Sequence, residues 1–207
     1  MARRVGLVDG DPTLDLALPA RRSRVPRPLN DAEVEACRSA ALQDLSSTRL
    51  STAWALGEAS ARTAEIPRVR VREVDVASGR VWIPGSSNTE PRWAVLTQWG
   101  IAQLSRRLRE LGGAVPLDTL VAYRGSGNPE TRQSLSSQAL RETLVRAGLS
   151  GEPAVGPGSL AAWAGSRVMR ETGRIEAVAV ALGVRSLDRA AVIIGWDWGE
   201  RAVEADR

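Results

Sequence analysis

Leu56-Gly-Glu-Ala-Ser-Ala-Arg62-Thr-Ala-Glu65-Ile-Pro67 begins the run LGEASARTAEIPRVRVREVDVASGRVWIPGSSNTEPRWAVL, which ends at Leu96 and carries the strongest structural signal of the chain. The spacing predicts a helix to Ile66, stopped there because proline disfavours helical geometry in the residue before it. Beyond it, Val69, Val71, Val74 and Val76 alternate with arginines, Ser78-Gly79 turns the chain, and Val81-Trp82-Ile83 follows. Pro84 to Asn88 breaks the run, and Trp93 to Leu96 closes it. β-formers punctuated by turn residues predict a three-stranded antiparallel meander behind a helix.

The flanks are helical in pattern. Asn30 with Glu33 three residues on is a capping-box signature, predicting a helix from about Asp31 to Leu45. Ser46, Ser47 or Ser51 starts the next, through Trp54 and Leu56. After the meander, Ile101, Leu104, Leu108 and Leu111 recur at helical spacing until Gly112-Gly113. Arg124 to Pro129 is a loop without the spacing or the lysine of a phosphate-binding loop. Ser134 or Ser136 then caps a helix through Leu144, Ser159 begins one running to Glu171, and Ile175–Leu182 and Asp188–Ile194 make two more. The predicted class is α+β, mostly α-helical, with a small three-stranded antiparallel sheet. Residues 1–27, rich in arginine and proline, read as a basic arm, residues 28–198 as the folded domain and 199–207 as a charged tail. Arg21, Arg22, Arg24 and Arg27 of the arm suit a phosphate backbone or simply solvent.

Composition bounds the chemistry. A chain of 207 residues with 43% apolar content can bury an ordinary core. No uncharged apolar run reaches membrane-spanning length and the first ten residues lack a secretory signal, so a cytoplasmic protein without membrane contact is expected. A single cysteine and no histidine exclude an internal disulfide, Cys-cluster and His-based metal sites, and His acid/base catalysis; no cofactor or metal is expected. All 28 basic residues are arginine, which removes Schiff-base chemistry and keeps the planar fork that suits phosphates and guanine edges. A GC-rich coding sequence gives the same bias. The net charge of +4 agrees with a polyanionic partner but does not by itself assign one.

Ser60-Ala-Arg62-Thr-Ala-Glu65-Ile66, the meander after it, and the later Leu182-Gly183 in this order resemble the catalytic domain of tyrosine recombinases and phage integrases, over about Pro28 to Trp198. The first box of that family reads roughly Gly-Leu-Arg-x-x-Glu-Leu, matched here by Arg62 and Glu65. The departures bear on activity. The hairpin position of the family's catalytic lysine holds Ser86-Ser87-Asn88, its His-x-Leu-Arg-His box falls on Gly158-Ser159-Leu160-Ala161-Ala162, its Leu-Gly-His on Leu182-Gly183-Val184, and its nucleophilic tyrosine on Ile193. Cleavage needs a hydroxyl nucleophile, guanidiniums around the scissile phosphate and a proton donor. Only Arg62 stands in place, so the resemblance implies the fold and double-stranded DNA as partner, without an enzyme's catalytic set.

Candidate DNA-binding residues are then Arg62, Asn88 and Arg92 on the hairpin, Arg132, Ser136, Gln138, Arg141 and Arg146 on the helix expected to meet a groove, and Ser159 and Arg167 on the next. Each has a plain structural alternative. Arg62 pairs with Glu65 or a buried carbonyl, Arg92 and Asn88 finish a turn, and the helix presents a solvated face. Trp54, Trp82 and Trp163 are expected in the core, filling the place of the absent phenylalanine. Trp196 and Trp198 are expected on a partner surface, where the C-terminal end would meet another copy or an active recombinase. Three functions are thereby framed: a non-catalytic DNA-binding protein of a plasmid, phage or integrative element, a pseudo-enzyme partner subunit, and a recombinase with Tyr123 or Ser159 as relocated nucleophile.

Overall fold

The computed structural model describes residues 25–44, 47–123 and 127–196. Its elements run α1 (Asp31–Ala41), α2 (Arg49–Glu58), β1 (Val74–Asp75), β2 (Arg80–Ile83), β3 (Arg92–Val95), α3 (Gln98–Leu111), α4 (Pro129–Arg146), α5 (Pro157–Thr172), α6 (Ile175–Leu182) and α7 (Leu187–Ile194). The arm before residue 25, the Arg124–Ser126 turn, Trp198 and the charged tail lie outside the described residues. Among the described residues no helix is long and apolar enough to cross a membrane.

Helix α2 is the axis of the larger core. Every residue from Leu50 to Glu58 is buried, and Trp54 and Leu56 pack with Leu104 of α3, Leu140 of α4 and Leu160 of α5. Gly57 permits this closeness: a Cβ there would stand 2.4 Å from Leu160 Cδ2. The buried Glu58 carboxylate is satisfied by a side-on fork from Arg38, Nε and Nη2 each donating at 2.8 Å, and by the Thr97 hydroxyl at 2.6 Å. Helix α1 carries the expected capping box, Asn30 accepting from the Glu33 N–H and Glu33 from the Asn30 N–H, and ends at Ala41, short of Leu45.

The opening stretch folds differently from its helical reading. Helix α2 ends at Glu58, and Ser60 turns left-handed with φ 71°. Arg62 to Ile66 is then a tight turn held by the Glu65 carboxylate, which accepts from the Arg62 N–H at 2.8 Å, and a 3₁₀ turn, Ile66–Arg68, follows. Propensity favoured a continued helix; the tertiary requirement that Glu65 face the hairpin overrode it. The first strand is likewise reduced to Val74–Asp75, because Val71–Glu73 form another 3₁₀ turn and Arg70 bridges to Leu120 instead.

The sheet is antiparallel in the order β1-β2-β3, with Val81 opposite Ala94 and Trp82 opposite Trp93. Val81, Ile83, Arg92 and Ala94 face inward. Trp82 therefore lies on the outer face rather than in the core, edge-on to Trp93 at 5.5 Å. Trp54 and Trp163 are core residues as expected. Helix α4 begins at Pro129, capped by Asn128 through the Thr131 N–H, earlier than Ser134, because proline is pre-organised for the first helical position. Val25 to Arg27, assigned to the arm by composition, belong to the packed domain: the Arg27 N–H donates to Ala154 O at 2.9 Å and its guanidinium forks onto Glu33.

A second, smaller core joins α5, α6 and α7 through Met169, Val178, Leu182, Ala190 and Ile194. Trp196 packs on it and is half-buried. Arg92, 5% exposed, ties this unit to the first. It meets Glu65 through Nη1 at 2.9 Å and Nη2 at 3.1 Å, Ser60 O at 2.8 Å and Ala181 O at 2.9 Å. The expectation that Arg92 follows a DNA backbone fails because every guanidinium nitrogen is engaged internally. Burial pushes the Glu65 carboxyl up, but Arg92, Thr89 and the Arg62 N–H together hold it below its ordinary value. Glu65→Gln leaves Arg92 buried and unpaired and is expected to cost about 3–5 kcal/mol in urea unfolding. A depressed carboxylate contributes stability above its unfolded pKa, about 4.3, and loses it as pH falls through the folded value, so an acid titration of stability should drop there in the native chain and flatten in the variant.

Candidate nucleic-acid interface

The turn that follows Ser60 sends the Arg62 side chain into a cavity of about 390 Å³. Thr63, Ser137 and Arg141 form one part of its lining, Gly158, Ala161 and Ala162 of α5 another, and Ile193 of α7 with Val25 and Pro26 complete it. Arg62 and four of the positions named above as departures from the recombinase boxes, Gly158, Ala161, Ala162 and Ile193, thus come together in space although they span 132 positions of sequence, while Val184 and Ser86–Asn88 do not line the cavity.

Both structural alternatives for Arg62 are answered by its contacts. The Glu65 carboxylate is committed to Arg92, Thr89 and the Arg62 backbone. Arg62 Nε and Nη2 are buried and make no hydrogen bond among the described residues. Burial lowers its pKa; Glu65 raises it in part, and the like charges of Arg189 and Arg92 lower it further. The result is a partly desolvated cation with like charges near it, beside an apolar space.

Helix α4 continues the surface. A shallow groove next to the cavity is lined by Thr63, Glu130, Gln133, Ser134, Ser137, Gln138 and Arg141. Gln138 and Arg141 are exposed and stand on the same side as Arg62, as the helical spacing implied. Thr63 and Ser137, shared by groove and cavity, were missed; the signal for Ser137 was its place one turn before Arg141. Arg189 was missed because nothing in the sequence brings α7 to Arg62.

The other expected contacts are placed elsewhere. Ser136 is buried and donates to Arg132 O at 3.1 Å. Arg132 donates from Nε to Gly127 O at 2.7 Å and lies over the Tyr123 ring, and Arg146 pairs with Glu142 at 2.6 Å. Ser159 is fully buried, its hydroxyl accepting from the Gly156 N–H at the start of α5. Arg167 stacks on Trp163 and lines a different groove. Asn88 is exposed at the hairpin tip, away from the cavity lining. Tyr123 lines a separate cavity with Arg107 and Glu110, and its hydroxyl accepts from the Gly127 N–H at 3.3 Å.

The architecture coincides with that of solved recombinases and integrases. The crystal structure of XerA recombinase superposes with a TM-score of 0.67 at 18% identity, over 88% of this chain and 65% of that one. XerH site-specific recombinase bound to its palindromic difH substrate, in a post-cleavage complex, gives 0.65 at 20% identity over 88% and 53%. This chain has the tyrosine-recombinase catalytic-domain fold. A lambda integrase dimer bound to a COC′ core site shares it with a TM-score of 0.57 at 16% identity, over 95% of this chain and 56% of that one. The chain thus spans about half to two-thirds of the lengths of these recombinases. It matches no protein-family model and no curated protein in sequence. On the recombinase fold described here, Arg62 is a buried cation with two empty donors, so Arg62→Met is expected to leave stability unchanged or raise it by about 1–3 kcal/mol, read from urea unfolding.

Proposed function

We propose that the chain is a cytoplasmic, non-catalytic binding protein for double-stranded DNA, serving the regulation, partition or mobility of a plasmid, phage or integrative element. One observation carries this reading: a recombinase fold whose cavity at Arg62 is walled by Gly158, Ala161, Ala162 and Ile193 beside an exposed helix face bearing Gln138 and Arg141. The exposed face can meet a groove, since glutamine and arginine reach base edges and arginine neutralises phosphates. The position that the family's tyrosine would fill holds Ile193, and the hydroxyls of the lining are those of Thr63 and Ser137, while Ser159 is locked in a helix start and Tyr123 lines another cavity. XerH and lambda integrase, which share the fold, were solved on DNA sites.

The reading has two measurable consequences. Anisotropy with a labelled duplex should show affinity falling steeply with salt, and Arg141→Ala should reduce the slope of log affinity against log salt by about one while leaving the melt unchanged. Absence of duplex binding at low salt would overturn it. Incubation with a nicked suicide duplex should yield no covalent adduct on denaturing gels; an adduct at Tyr123 or any serine would restore the enzyme reading.

A second reading, a partner subunit of an active recombinase, draws on a groove between β3 and α6 where Trp93, Val95 and Val180 are 52%, 63% and 71% exposed. Exposed apolar residues clustered along one groove suit a protein partner. It requires a stable complex with an active recombinase in sedimentation that Val180→Asp disrupts; if the two proteins sediment separately, that reading falls.

A further inference from the structure

Arg38 and Arg62 put the same chemical group to two different ends. In Arg38 the Nε and Nη2 donors face the two oxygens of Glu58, each at 2.8 Å, the side-on geometry in which a planar guanidinium meets a planar carboxylate. In Arg62 the same two nitrogens are buried and empty. A buried polar group without a partner is rare in native proteins and calls for one. Among the described residues no carboxylate supplies it, since the Glu65 oxygens are taken by Arg92, Thr89 and the Arg62 N–H, and Arg189 and Arg92 add like charge.

The adjacent cavity of about 390 Å³ is within the size range of small-molecule sites. Pro26 closes one side, seated so tightly on α5 that a Cβ at Gly158 would lie 3.0 Å from its Cγ. Ala161, Ala162 and Ile193 give the interior an apolar wall. Of the two arginines in the lining, Arg141 is exposed where the cavity meets the α4 groove and Arg62 is the half-buried one; a half-buried cation beside such a wall selects a ligand with one oxyanion on an apolar body. An inorganic anion would answer the fork and leave the wall wet, and a neutral apolar molecule would do the reverse.

We propose that this cavity binds a small monocarboxylate with an apolar body, its carboxylate on the Nε and Nη2 fork of Arg62 and its body against Ala161, Ala162 and Ile193. The fork is closed to solvent in the free chain, so the acid reaches it by displacing part of the wall, and the occupied chain melts at a higher temperature than the empty one. The site adjoins the α4 groove of the DNA reading and shares Thr63, Ser137 and Arg141 with it, but its anion is taken by Arg62 and its apolar wall comes from α5 and α7.

Calorimetric titration of the full chain with hexanoate and with benzoate tests it, with inorganic phosphate and a random-sequence duplex titrated in parallel. Equimolar binding of at least one acid is expected, weakened about tenfold or more by Arg62→Met, the loss of a charge-assisted hydrogen-bond pair. Ala161→Phe, which keeps the cation and fills the space, should weaken it as well, and phosphate should bind less tightly than the acids. The proposal is overturned by phosphate binding as tightly as the acids, by acid binding indifferent to both substitutions, or by no acid binding at millimolar concentration. Duplex binding without acid binding sinks this proposal and spares the DNA reading; acid binding without duplex binding does the opposite. If no acid binds and both substitutions abolish duplex binding, the cavity belongs to a backbone phosphate and the proposal fails.

Discussion

The Arg92–Glu65 ion pair is the constraint around which the rest is arranged. Arg92 reaches from the sheet to the Ser60 turn and to the C-terminal end of α6, so one guanidinium fixes the relative position of the sheet, the Arg62 turn and the smaller helical core. Gly183, left-handed at φ 64°, is needed for this approach, because a Cβ there would stand 2.6 Å from Arg92 Nη1. A buried pair of this kind contributes less to net stability than to specifying one arrangement among several, because desolvation offsets much of its attraction. Its consequence for the site is indirect and decisive. By consuming the carboxylate of Glu65, Arg92 leaves Arg62 Nε and Nη2 without a partner among the described residues.

Local signals were legible wherever the determinant is local. The Asn30 and Glu33 cap, the turn at Ser78-Gly79 and the end of α3 at Gly112 are short-range chemistry, and the structure has them. The meander was legible because its alternation of inward and outward residues is strict in β2 and β3. What escaped was set by partners distant in sequence. Nothing near Glu58 announces that helix α2 stops there, since Ser60 is bent by contacts with Arg92 and Ala181. Trp82 was misplaced because its bulk was weighed over its register, although Val81 and Ile83 on either side already assigned it to the outer face.

The site was half legible for the same reason. Arg62 was identified by its box, and Gln138 and Arg141 by helical spacing, and these three share one side of the molecule. Arg92, Ser136 and Ser159 are polar residues spent on internal contacts, and a sequence does not distinguish an arginine that holds a hairpin to a helix from one that awaits a phosphate. The geometry adds what the boxes alone lack. Gly158, Ala161, Ala162 and Ile193 are neighbours in one cavity, so the side chains at these four positions shape a single environment and not several independent ones.

The edge-on indoles of Trp82 and Trp93 give the hairpin an optical identity of its own. Two rings 5.5 Å apart and inclined by 64° couple their electronic transitions, which produces paired circular-dichroism bands of opposite sign that the isolated, buried Trp54 and Trp163 do not contribute. Splaying of β2 from β3 would extinguish those bands while the emission of the interior tryptophans persisted, so the sheet and the helical core can be followed separately in one unlabelled sample.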